Sequence, residues 1–202
     1  MKKESQVIFE KGVIEFVTVS AEYCAFLEQA ANTGRHHFVD TSLKLLPLLY
    51  LKAAMLPQCE RIEEEDLEIC VTEEIYEAIR INLAHILGEK DDYLEVFLPD
   101  MAYSDQPIKR CISEDLADIY QDIKDFIFVF QLGLNSTMND ALFICQENFK
   151  SYWGQKLVNT MRALHDVKYN QNSEEEEKEK NNDLYTEDFD QDFDQEYDQE
   201  YE

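Results

Sequence analysis

Chain breakers are scarce in this sequence. Five Gly and four Pro occur in 202 residues, against roughly 12% for the two together in an average chain. A β-sandwich or barrel needs turn residues every ~8–12 positions, and nine breakers cannot serve that many turns. The scarcity selects a few long helices with few connections. A chain of 202 residues suits one domain with one sizeable core.

The apolar periodicity agrees and places five helices. The first runs from about Ser5 to Ala31 on the stripe Phe9, Val13, Phe16, Ser20, Tyr23, Leu27, Ala30, with Gly34 offered as a left-handed cap. The second runs from Asp40 or Thr41, with Asp40 as N-cap, to Leu56. Its leucines surround it, so it is expected at the buried centre of the bundle, kinked at Pro47. Leu67, Ile69 and Val71 then alternate with Glu68 and Cys70 as a short extended segment. The third helix runs from the Thr72 cap to Leu87 and stops at Gly88. Residues 89–112, with Pro99 and Pro107, form an ordered connection with one helical turn. The fourth helix begins at Ser113, follows Leu116, Ile119, Ile123, Phe126 and Phe130, and ends at Gly133. The fifth runs from Ser136 or Thr137 to about Val167 through Leu142, Cys145, Phe149, Trp153, Leu157, Met161 and Leu164. The fold class is therefore all-α, a single bundle of about five helices over residues 1–170.

Residues 171–202 are a different material. They hold 15 acids against two lysines, half of the net charge of −26. With almost no aliphatic residues, this segment cannot bury enough apolar area to offset the entropy of ordering it, so it is expected to be disordered. Aromatics recur every fourth residue at Tyr185, Phe189, Phe193, Tyr197 and Tyr201, each set among acids. Acids steer a segment toward a basic partner, and desolvated aromatics anchor it.

Charge also excludes. Phosphate contact needs a clustered basic surface, and the 18 basic residues are scattered among 44 acids. Neither nucleic acid nor an anionic membrane surface is an expected partner. The longest stretch without a charge, 126–139, is too short to span a bilayer. Glu4 and Glu10 interrupt any signal-peptide core after Met1-Lys2-Lys3. The five cysteines, Cys24, Cys59, Cys70, Cys111 and Cys145, contain no CxxC and read as reduced, mostly buried thiols. The expected location is cytoplasmic.

Two runs are distinctive: Leu116-Ala-Asp-Ile-Tyr-Gln-Asp-Ile-Lys-Asp-Phe126 and Tyr152-Trp-Gly-Gln-Lys-Leu-Val-Asn-Thr-Met-Arg-Ala-Leu-His165. Together they resemble an uncharacterised bacterial domain-of-unknown-function family of about this length. Met161 departs from the Leu or Ile of that pattern. The resemblance covers residues 1–168, leaves out the tail, and implies a helical fold and no assigned activity.

Four constellations bear on chemistry. Glu64-Glu65-x-x-Glu68 followed by Glu89-x-x-Asp92 looks like the EExxE…ExxD pattern of MazG-type, all-helical nucleotide pyrophosphatases, whose carboxylates hold Mg²⁺. Both sets lie outside the expected helices, and acids are so frequent here that such spacings arise by chance. Asp115, Asp118, Asp122 and Asp125 share one side of the fourth helix and are expected to be a solvated face; a metal or a basic partner is the alternative. His36, His37, His85 and His165 make no ExxH, HxxxH or HExxH pattern. Gly154 beside Trp153 is expected to let two helices approach closely over a buried indole, with a pocket floor as the alternative.

No coherent catalytic set and no cofactor emerge. The preferred reading is a non-enzymatic interaction or adaptor protein that binds a basic protein partner, in part through Tyr185, Phe189, Phe193, Tyr197 and Tyr201. The alternative is a Mg²⁺-dependent pyrophosphatase-like enzyme using Glu64, Glu65, Glu68, Glu89 and Asp92 as metal ligands. Oligomeric state is left open.

Overall fold

The computed structural model describes residues 6–95 and 108–170. The acidic tail and its five aromatics lie outside the described residues. The helices are α1 (Lys11–Glu28), α2 (Arg35–Ala54), α3 (Glu73–Leu87), α4 (Ile112–Gln131), α5 (Asn135–Asn148) and α6 (Gly154–Tyr169). A π-helical turn, Phe149–Trp153, joins α5 to α6 without a break. The pair is thus the single fifth helix read from the sequence, and the all-α bundle stands. The only strands among the described residues are β1 (Asp92–Leu94) and β2 (Lys109–Cys111), an antiparallel pair with Tyr93 opposite Arg110.

The centre of the bundle is α4, against which α1, α3, α5 and α6 all pack. Twelve of its twenty residues are buried, including the whole stripe Leu116, Ile119, Ile123, Phe126 and Phe130. Phe126 stands between Phe16 and Phe130, with ring centroids 5.4 Å from each. The expectation that α2 occupies the centre is corrected. Leu51 is 51% and Met55 65% exposed, and only one face of α2 packs inward. Leucines all round a helix show what it tolerates; the length of partner helix on each side decides what is covered. Pro47 lies inside α2, which continues through it to Ala54.

Helix ends divide into those set locally and those set at a distance. Thr72 caps α3 as expected, accepting from the amide of Ile75 at 3.4 Å. Gly88 follows at φ 56°, and Gly133 closes α4 at φ 74°, conformations that favour glycine. Gly34 is extended (φ −65°) and is the N-cap of α2, not a left-handed C-cap. Asp40 lies within α2, where it pairs with Lys44 and Lys168 instead of capping. The start of α4 is fixed from outside its own sequence: Asp91 accepts from the Ser113 amide (2.7 Å) and the Ser113 hydroxyl (2.6 Å). The connection after α3 holds a 3-10 turn (Gly88–Lys90) and the two strands, more extended structure than the one helical turn expected.

Residues 56–71 form a strap with no regular secondary structure, and the extended reading of 67–71 yields no strand. Buried polar groups of α5 hold the strap. Asp140 accepts from the amides of Ile62 (2.7 Å) and Glu63 (2.8 Å). Asn139 donates to the Glu60 carbonyl (2.7 Å), and Gln146 to that of Pro57 (2.6 Å). Asp125 of α4 accepts from the amides of Cys70 (2.7 Å) and Val71 (2.9 Å). A backbone without its own ladder must satisfy its amides elsewhere, and here the helices supply the acceptors.

Candidate functional site

The most developed polar arrangement lies along α4. Asp115, Asp118, Asp122 and Asp125 share one side because their spacing of 3-4-3 follows the helical turn. That side faces protein. Asp115 is 2% exposed, so the expectation of a solvated face is corrected.

Each carboxylate has an internal partner. Asp115 accepts from the Tyr93 hydroxyl (2.5 Å) and from Lys156 Nζ (2.9 Å). Asp118 accepts from the Tyr76 hydroxyl (2.9 Å) and the same Lys156 (2.7 Å). Lys156, on α6, bridges the two, and its ammonium also lies 5.2 Å from the Tyr152 ring centroid. Burial opposes the Lys156 charge, but the bonds to Asp118 and Asp115 outweigh it and raise its pKa. Burial and the adjoining carboxylates raise Tyr76 and Tyr93 well above the ordinary phenol range, and Tyr152 is pushed up to about 12. These phenols stay protonated and serve as donors.

Asp122 differs. Among the described residues its hydrogen-bond partner is a neutral amide, Asn148 Nδ2 at 2.5 Å. Burial pushes its carboxyl up to about 6, the Asn148 bond works against that, and the charges of Asp125 and Asp118 add to it.

The π-helical turn positions α6 against this row. Its defining bond runs from the Gly154 amide to the Phe149 carbonyl. A Cβ at Gly154 would stand 2.3 Å from that carbonyl oxygen. The expectation of a close helix–helix approach is therefore corrected: the glycine is required by a turn within its own helix. Trp153 is fully buried and donates to the Cys145 carbonyl at 3.2 Å. π-Turns of this kind re-aim the residues that follow them, here Lys156.

The sequence-derived acidic pair of motifs is divided. Glu64, Glu65 and Glu68 are exposed on the strap. Glu89 lies in the 3-10 turn after α3, and Asp92 on β1 pairs with Lys109 at 2.5 Å. Glu89 and Asp92 line a cleft of about 550 Å³ with Arg162 and His165, whereas Glu65 and Glu68 line grooves beneath the strap. Among the described residues no group of three or more His, Cys, Asp or Glu is arranged to hold a metal ion. His36 and His37 are exposed on the first turn of α2.

The cysteines are all free. Cys24 and Cys145 are buried, and the other three half-buried, fewer fully buried than expected. Burial pushes Cys24 up to about 12 and Cys70 up to about 11, and raises the rest. A thiol nucleophile needs the opposite shift. What sequence reasoning missed is the pairing. Asn139, Asp140 and Gln146 on α5, and Lys156 with Tyr76 and Tyr93, meet partners more than 20 residues away, and no local spacing announces such bonds.

Comparisons with known proteins add the family. The chain is similar to a solved structure, protein BF1032 from Bacteroides fragilis, a structural-genomics target. The two share 70% identity over 83% of this chain and 99% of that one, with a TM-score of 0.76. No curated protein matches. No described helix is long and apolar enough to cross a membrane. The Domain of unknown function (DUF5063) matches residues 7–170, the helical body without the tail, and the chain belongs to that family.

Proposed function

We propose that this protein is a non-enzymatic interaction module that engages a basic protein surface, in part through residues 171–202. The observation that carries the reading is the distribution of charge. Within the body, Asp115, Asp118 and Asp125 are engaged by Lys156, by tyrosine hydroxyls and by backbone amides, so these three hold the bundle together. The remaining acid is in excess, a net charge of −26 of which 171–202 supplies half. Such a field raises the encounter rate with cationic surfaces and weakens with salt. Tyr185, Phe189, Phe193, Tyr197 and Tyr201 supply the apolar anchors.

The test is capture from a native lysate by the full chain and by residues 1–170. The reading expects basic proteins on the full chain, released by raised salt and lost without the tail. Identical captured sets from the two proteins would remove the tail's role. Capture of no basic protein would overturn the reading.

A further inference from the structure

Beneath the strap run two adjoining cavities, of about 250 Å³ and about 180 Å³, which share Asp66, Leu67, Glu68 and Val129 as their common wall. The larger has an apolar floor from α4 and α5, including Phe126, Ala141 and Ile144, and Asp122 and Asp125 stand at its side. The smaller adds Glu63 and Glu65 and the half-exposed Leu132 and Leu134. Among the described residues no Lys or Arg lines either cavity. The strap's own base, Arg61, is turned onto the carbonyls of Glu63, Glu64 and Glu65.

Of the four carboxylates that line the larger cavity, Asp66, Glu68, Asp122 and Asp125, the two on α4 are not equivalent. Asp125 is satisfied by two strap amides, while among the described residues Asp122 has the Asn148 amide as its hydrogen-bond donor and shares its cavity with no Lys or Arg. A half-buried carboxylate beside an apolar floor is complementary to one shape of ligand: a long side chain with an aliphatic stem and a cationic head. We propose that this trough receives the lysine or arginine side chains of a basic peptide segment, with the stem on Phe126 and Ile144 and the charged head at Asp122. Neighbouring cationic side chains would then fall beside Glu68 and Glu65. This rests on the proposed binding of a basic partner and assigns it a place on the folded body, separate from the tail. Glu65 and Glu68 thereby acquire a role distinct from the metal ligation that their spacing suggested.

The test uses the full chain and proton–nitrogen correlation spectra, so that trough and tail are read separately. The probes are a blocked hexapeptide of alternating alanine and lysine, its norleucine counterpart, and spermidine as an ammonium without a peptide. The lysine peptide should shift the amides of Leu67, Glu68, Ile69 and Asn148 saturably, and the norleucine peptide should not. Asp122→Asn, which keeps a partner for Asn148, should weaken the binding at least tenfold. Ile144→Trp, which fills the floor and leaves every acid in place, should abolish it. Shifts confined to residues 171–202, or undiminished binding by both variants, would overturn the trough while leaving the basic-partner reading intact. Spermidine binding as tightly as the peptide would overturn the peptide assignment. Shifts nowhere would overturn both.

Discussion

Asp122 gives the sharpest thermodynamic consequence of the α4 row. Its carboxyl is raised from 3.8 to about 6 in the folded protein, so the folded state holds that proton more tightly than the unfolded chain. The resulting stabilisation is fully present below pH 3.8 and is lost as pH rises through about 6. At neutral pH the ionised group therefore lowers stability relative to an uncharged isostere. A rise of that size corresponds to about 3 kcal/mol, and incomplete burial brings the expected gain for Asp122→Asn to about 2–3 kcal/mol. For a chain of this size that is roughly 4–12 °C in melting temperature. The substitution keeps an acceptor for Asn148, so the comparison isolates charge from geometry. Urea unfolding of the two proteins across pH 4–8 provides the assay. The variant should be more stable above pH 7, and the difference should vanish near pH 4. Equal stabilities at pH 7.5, or a gap that persists unchanged to pH 4, would refute the assignment of a desolvated, uncompensated carboxylate.

Three further outcomes follow from the same contacts. Lys156→Met leaves Asp115 and Asp118 without their shared cation in a buried setting, and should cost about 3 kcal/mol or more at pH 7 by urea denaturation. Gly154→Ala drives a methyl against the Phe149 carbonyl, so the π-helical turn must rearrange at a cost of about 1–3 kcal/mol in thermal unfolding. Asp125→Ala strips the acceptor from the Cys70 and Val71 amides and should accelerate hydrogen exchange at both positions by at least tenfold, with less change at the far end of the strap where Asp140 still holds Ile62.

The bundle is legible in the sequence wherever the governing interaction is local. Thr72 and the glycines at 88 and 133 mark their helix ends, and every residue of the α4 stripe is buried. Legibility fails where a partner is remote. Asp40 has the chemistry of an N-cap, yet its partners are Lys44 one turn away and Lys168, 128 residues further along the chain. The aspartates of α4 are spaced like a solvent face, and nothing within that helix reveals that Lys156, Tyr76 and Tyr93 cover them. The strap shows the same limit. Residues 56–71 carry no helical periodicity, and their order comes from Asn139, Asp140 and Gln146, polar residues on the inward face of a helix where sequence patterning expects apolar ones. Gly154 stands out in the sequence, but its cause is the carbonyl five residues back, a relation that ordinary 3.6-residue spacing does not contain.

The proposed role of the surplus acid on this chain is to bind a basic protein. Its most direct test compares the full chain with residues 1–170 as baits in a native lysate, with captured proteins identified by mass spectrometry and eluted by a salt gradient. Lysine- and arginine-rich proteins should be held by the full chain, leave at moderate salt and be strongly depleted when the tail is removed. Two baits that retain the same proteins, or retain none that is basic, would contradict it.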